Sequence, residues 1–170
     1  MESEKVVRVR DLMSTAIVSI KETDIVGLAK AEMDFAAIRH LPVVDAEGRL
    51  AGVLSQRDVL QALAKRDGKP VHAGEIMSRE VRTVRPGAPA HEAARAMLEA
   101  KIGSMPVVSE RGELVGMLTE SDFLRVAEEA LAEQAARARA AAKASTKKVA
   151  KKKVAKTAKK KAAKKRTQTP

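Results

Sequence analysis

The chain has 170 residues, 33 Lys and Arg against 22 Asp and Glu for a net charge of +11, two phenylalanines as its only aromatic residues, and no cysteine. Disulfides, thiolate catalysis and thiolate metal sites are therefore excluded, and the length accommodates one domain of ordinary size with a tail. The charge is split along the chain: Gln134–Pro170 holds 15 of the basic residues and no acid, while Met1–Glu133 holds 18 basic and 22 acidic residues, so a mildly acidic body carries a strongly basic tail.

Met1-Glu2-Ser3-Glu4-Lys5 opens the chain with charge instead of the apolar run of a signal peptide, and no stretch approaches the ~20 apolar residues that span a bilayer. We expect an intracellular, cytoplasmic protein without membrane insertion. After this lead-in, Ala16–Ile20 reads as a strand. Asp24–Ile38 carries Ile25, Leu28, Ala29, Ala36 and Ile38 at helical spacing, with Thr23 or Asp24 as cap. Leu41–Val44 and Leu50–Leu54 are short aliphatic runs joined by Asp45-Ala46-Glu47-Gly48-Arg49, whose glycine suits a left-handed backbone position in a hairpin. A helix from Gln56 to about Ala64 closes the unit, and Gly68 and Pro70 mark a linker.

The same series then returns. Leu12–Leu60 lies over Ile76–Leu124 at a constant offset of 64 residues, without a gap and with 15 identities in 49 positions. Met13-Ser14 recurs as Met77-Ser78, Leu41-Pro42-Val43-Val44 as Met105-Pro106-Val107-Val108, and Gly52-x-x-Ser55-x-x-Asp58 as Gly116-x-x-Thr119-x-x-Asp122. A unit this small buries only a marginal share of its apolar surface alone, so each copy is expected to pack on the other. Aliphatics, methionines and the two phenylalanines, Phe35 and Phe123, supply the expected core. Met33 and Met97 occupy equivalent helical positions and read as core residues, and Met13 and Met77 as residues that close the start of each unit.

Ile38-Arg39-His40-Leu41-Pro42-Val43-Val44-Asp45 and Gly52-Val53-Leu54-Ser55-Gln56-Arg57-Asp58, with their counterparts one repeat later, strongly resemble the CBS domain family over Val9 to about Ala127. The resemblance implies a Bateman module of α/β (α+β) class: two tandem β-α-β-β-α motifs packed with pseudo-twofold symmetry. The expected division is a lead-in over 1–8, motif 1 over 9–67, a linker over 68–73, motif 2 over 74–127, an extended helix over 128–142 and a disordered tail over 143–170. It further implies a regulatory unit that binds AMP, ADP, ATP or S-adenosylmethionine in clefts between motifs, needs no cofactor, forms a homodimer, and acts on a separate regulated protein.

The residues support two readings of the Ser-x-x-Asp and Thr-x-x-Asp motifs. At a helix start the amide groups and dipole favour an anion, the Ser55 or Thr119 hydroxyl can add a donor to a phosphate, and Asp58 or Asp122 can accept from a ribose. Gly52 and Gly116 would let a flat base approach the strand. The same atoms also make a capping box that serves only the helix itself. Arg39 and His40 stand where the resemblance places phosphate contacts, and Gly103 and Ser104 replace them in the second copy. A cleft walled by Arg39 and His40 would therefore suit a phosphorylated nucleotide, and the other a neutral adenosine derivative or nothing. An exposed surface role is the competing reading for this Arg-His pair.

No nucleophile elbow, P-loop or His-x-x-x-His pair occurs, and neither His72 nor His91 has a second ligand at metal-binding spacing. We expect no catalytic residue and no metal. From Ala127 onward strong helix formers run with acids before bases, which suits the helix dipole. Lys147, Lys148, Lys151, Lys152, Lys153, Lys156, Lys159, Lys160, Lys161, Lys164, Lys165 and Arg166 follow in a Lys/Ala/Val/Thr background. This composition resembles linker-histone tails and the tails of some bacterial nucleoid proteins. It implies non-specific binding of DNA or RNA and, in a bacterium, association with the nucleoid. The alternatives are a solubilising tail, a ligand-free structural nucleoid protein, or a regulatory subunit of an enzyme or transporter to which the tail is incidental.

Overall fold

The computed structural model describes residues 6–65 and 69–140. Met1–Leu124 is one compact unit and the residues from Arg125 onward another. Within the first, a short helix α1 (Val9–Leu12) precedes β1 (Ile20–Lys21), α2 (Val26–Phe35), β2 (His40–Val44), β3 (Leu50–Ser55) and α3 (Gln56–Lys65). A second short helix α4 (Ala73–Ile76) leads into α5 (Ala90–Ala100), β4 (Ser104–Val108) and β5 (Leu114–Thr119), and a last helix, α6, begins at 120. This is the expected mixed α+β arrangement of two repeats followed by a helix.

The strand expected over Ala16–Ile20 is corrected to the two residues of β1, parallel to β2 through Ile20↔Val43 and Lys21↔Val44. The residues ahead of it serve the other copy: Ser14 exchanges both backbone hydrogen bonds with Met117, at 2.9 Å each. In the second copy the strand shrinks to a single parallel bridge, Val84↔Val107. Pro86 explains the loss. It occupies the position of Glu22, whose N–H bonds the Val44 carbonyl at 3.3 Å, and proline has no N–H to give. The Arg85 guanidinium donates to the equivalent Val108 carbonyl at 3.2 Å instead.

The cap expected at Thr23 or Asp24 is also corrected. Ile25 precedes the first turn of α2 in extended backbone without a side-chain cap bond. Asp24 Oδ2 accepts the Lys21 amide at 2.7 Å, and the Val26 amide finds the Val71 carbonyl at 2.8 Å. The hairpins follow expectation: Gly48 and Gly112 have φ of +79° and +83°, and Asp45 and Ser109 side chains hold the loop amides. Ala51 and Val115 are left unpaired where the ladder shifts register beside Val44 and Val108, as in a β-bulge.

The backbone hydrogen bonds between the copies recur with the copies exchanged. Leu50 N–H bonds the Gly112 carbonyl and Leu114 N–H the Gly48 carbonyl, at 3.1 and 3.3 Å, so the hairpin tips meet reciprocally. The opening segments cross over: α1 packs on α5 and β5, and α4 on β1, β3 and α3. Val9, Leu12 and Met13 thus belong to the core of the second copy, with Ala93, Met97, Met105, Val107 and Leu118. Ala73, Ile76 and Met77 belong to that of the first, with Ile20, Val26, Met33, Leu41, Val43, Leu54 and Val59. Met33 and Met97 are buried as expected, but Phe35 is 92% exposed and is removed from the core.

In the second unit, α6 continues to 140, the last described position, and Arg125 through Ala140 are all exposed. Arg137 pairs with Glu133 one turn earlier at 2.6 Å. The tail cations from Lys147 to Arg166 lie outside the described residues. Among the described residues no helix is long and apolar enough to cross a membrane.

Candidate functional site

Two of the cavities in the first unit are images of one another under the repeat. The first, about 390 Å³, is lined by Ser14, Ala16–Val18, Ala36–His40 and Pro42. The second, about 530 Å³, is lined by Ser78, Glu80–Arg82, Ala100–Ser104 and Pro106, which are the same ten positions 64 residues later. Each is closed by the other copy: Met117, Thr119, Glu120 and Ser121 on the first, Val53 on the second. A third, more open cavity of about 680 Å³ lies at Ser55, Gln56, Arg57 and Leu60 and joins them through Arg39, His40, Lys101, Gly103 and Glu120.

The helix starts at these clefts are internally satisfied. Asp58 Oδ2 accepts the Ser55 amide at 3.1 Å and the Ser55 hydroxyl at 2.5 Å, and Ser55 Oγ accepts the Asp58 amide at 3.2 Å. Asp122 Oδ2 accepts both the Thr119 amide and hydroxyl at 2.8 Å. The first helical amides, Gln56 and Glu120, bond the carbonyls of Arg39 and Gly103 at 2.8 and 3.1 Å. The amide groups expected to stand open to an anion are thus partly taken, and the capping box is formed in full at Ser55. Ser55 and Thr119 line cavities, whereas Asp58 and Asp122 sit behind them and line none of the three.

Gly52 and Gly116 meet the opening segments of the opposite copies. A Cβ on Gly52 would stand 2.7 Å from Met77 Sδ and 2.7 Å from the Ser78 carbonyl oxygen; on Gly116, 2.6 Å from Met13 Sδ. Close approach of a neighbouring chain segment requires glycine here, whatever a ligand requires.

Arg39, His40, Gly103 and Ser104 were expected to divide between two clefts. The structure gathers all four at the meeting of the cavities, where Arg39, His40, Gly103 and Ser104 share the first and His40, Gly103 and Ser104 share the second. His40 is half-buried on β2, and its pKa is held below the ordinary 6.5, first by burial and then by the neighbouring Arg39 charge, against the opposing pull of Glu120 and Asp58. Sequence reasoning missed Lys101 and Glu120. Lys101 ends α5 with φ 53° and ψ 43°, in the left-handed region, which carries its side chain to the second and third cavities. Its counterpart Ala37, also at φ 53°, gave no charge to notice. Glu120 approaches so closely that a Cβ on Gly103 would lie 3.2 Å from its Oε2.

The model of the CBS domain family matches residues 9–65 and 73–129. The chain belongs to the CBS domain family. It is a tandem CBS pair, a Bateman module, and such pairs are typically regulatory and not catalytic. The CBS pair of protein MJ0100, solved with 5′-methylthioadenosine and S-adenosyl-L-methionine, is 29% identical with a TM-score of 0.66 over 74% of this chain and 98% of that one. A putative acetoin utilization protein (AcuB) from Vibrio cholerae is 36% identical with a TM-score of 0.68, covering 76% and 96%. CBSX2 solved with AMP is 29% identical with a TM-score of 0.64, covering 72% and 96%. Among curated proteins, a homoserine O-acetyltransferase of Methanohalobium evestigatum is 33% identical over 121 residues, 71% of this chain but 24% of that protein. This CBS pair spans about a quarter of the length of that relative and of a second archaeal homoserine O-acetyltransferase.

Proposed function

We propose that the chain is a non-enzymatic sensor in which the CBS pair binds an adenosine-containing ligand, pairs with a second copy, and is held on nucleic acid by its basic tail. One observation carries the ligand reading: two cavities walled by ten repeat-equivalent positions each, closed by residues of the opposite copy, Val53 of β3 on one and Met117 and Thr119 of β5 on the other. Similar CBS pairs solved with AMP, 5′-methylthioadenosine and S-adenosyl-L-methionine add support. Pairing is supported by exposed large apolar side chains on the helices: Phe35, Leu60, Leu98 and Leu124 are 92%, 48%, 78% and 68% accessible. The nucleic-acid reading rests on 15 basic residues and no acid from Gln134 onward. Two tails on one dimer would raise avidity without any new contact.

Calorimetric titration with AMP, ATP and S-adenosylmethionine tests the reading. Saturable heat with at least one of them is expected, weakened in Ser55→Ala and Thr119→Ala, which keep the backbone-to-carboxylate half of each cap. The second reading is a ligand-free pairing body, whether a structural nucleoid protein or a subunit regulating a separate enzyme or transporter. It is favoured by the internal engagement of both hydroxyls, and absence of heat with all three ligands would establish it.

A further inference from the structure

The three cavities have separate bodies and one common corner. His40 and Gly103 line all three, Arg39 and Glu120 the first and third, and Lys101 the second and third. The repeat is broken here, since the counterparts of Arg39, His40 and Lys101 are Gly103, Ser104 and Ala37. The two clefts match in backbone position, yet these cations are not duplicated between them. They stand together where the clefts meet.

We infer that the two clefts share one anion subsite, walled by Arg39, His40 and Lys101, so that the chain takes a single phosphorylated nucleotide and binds a proton with it. The inference rests on the reading that the clefts accept adenosine ligands. His40 lines both clefts, and a phosphate extending from either one into the third cavity reaches the place that Arg39, His40 and Lys101 line together. A second phosphate there would stand beside the first, where like charges repel.

The proton follows from His40. Without ligand, burial and Arg39 disfavour the imidazolium, while Glu120 and Asp58 favour it. The other charges around the corner are Arg57 from α3, Lys101 from the end of α5, and Glu80 and Arg82 from the segment ahead of Val84. A phosphate brings negative charge and an acceptor for the imidazole N–H, which favours the protonated ring. Affinity is therefore greatest at low pH and falls as pH rises through the interval between the free and liganded histidine values, by at most about tenfold per pH unit.

The test is calorimetry of the full-length chain with AMP and with adenosine, near pH 6.5 and near pH 8, in buffers of different ionisation heat. His40→Gln and Lys101→Asn are run beside the wild type and checked for folding by circular dichroism. Asparagine tolerates the left-handed position of Lys101, which keeps that variant folded even if the histidine variant is not. AMP is expected to saturate at one per chain with proton uptake. Its pH dependence should exceed that of His40→Gln, a comparison that cancels the titration of the AMP phosphate itself. Lys101→Asn should weaken AMP by about tenfold and leave adenosine unchanged. Two AMP per chain, or AMP binding indifferent to Lys101→Asn, overturns the shared subsite, and equal pH dependence with and without His40 overturns the proton linkage. Either result with adenosine still bound leaves the adenosine reading standing, whereas no binding of AMP or adenosine removes both.

Discussion

Replacing Gly52 with alanine should destabilise the fold by about 2–4 kcal/mol, and the same change at Gly116 by well under half of that, although the two glycines are repeat equivalents. The difference lies in what the new Cβ meets. At Gly52 it stands 2.7 Å from the Ser78 carbonyl oxygen, which is bonded to the Val53 amide at 3.0 Å in a reciprocal pair. That backbone cannot retreat without giving up two hydrogen bonds of about 1 kcal/mol each. Strain of about 1–3 kcal/mol adds to this, and about 0.5–1 kcal/mol returns because alanine loses less chain entropy than glycine. At Gly116 the nearest atom is Met13 Sδ at 2.6 Å, with the Ser14 carbonyl relaxed to 3.2 Å. A thioether has three rotatable bonds with which to swing clear. Urea unfolding measures both: a loss of 2 kcal/mol moves the midpoint by about 1 M at a slope near 2 kcal/mol/M. Met13→Ala should relieve most of the Gly116→Ala penalty in a double-mutant cycle, whereas Met77→Ala should leave the carbonyl clash at Gly52→Ala in place. Equal penalties at the two glycines, or full relief by Met77→Ala, would refute the reasoning.

Phe35→Glu installs the residue found at the equivalent Glu99; stability should change by less than about 0.5 kcal/mol, while light scattering should show a weaker dimer. Ala37→Gly should stabilise by about 0.5–1 kcal/mol in thermal melts, because φ of 53° strains alanine and suits glycine. The pKa of His40 is lowered on folding, so its contribution is fully present above the ordinary value of 6.5 and is lost as pH falls through the folded value. Unfolding midpoints of the ligand-free chain should therefore decline below about pH 6.5, and less so in His40→Gln. Duplex DNA mobility shift should weaken with salt at a log–log slope of roughly −7 to −9 if about 8–10 tail lysines engage phosphates, and truncation after Ala142 should abolish it.

Local rules carried much of the fold. The 64-residue offset foretold two copies, and Gly48 and Gly112 foretold both hairpin turns, since each depends on neighbours in sequence. What escaped was nonlocal or too short to show periodicity. The four-residue helices α1 and α4 have one local mark, an acid three residues past the cap: Asp11 accepts the Arg8 amide at 2.9 Å and Glu75 the His72 amide at 2.8 Å. Extending the repeat four residues upstream would have aligned these two pairs. The crossover of the opening segments leaves no such mark, because it depends on which surface is free after each copy has formed. Near the clefts, Ser55 and Asp58 were legible as a helix start but equally suited to two uses, and Lys101 came into view only through its left-handed backbone.

The crossover of α1 and α4 also governs the order in which this protein can be made. Val9 and Met13 leave the ribosome well before the surface that covers them, which includes Met97, Met105 and Leu118, so they wait through roughly a hundred residues of synthesis at about 5–20 residues per second. During that interval the nascent chain keeps an unburied apolar segment. A cut at residues 66–68 should accordingly yield two fragments, neither of which matures by itself and which restore one another on mixing.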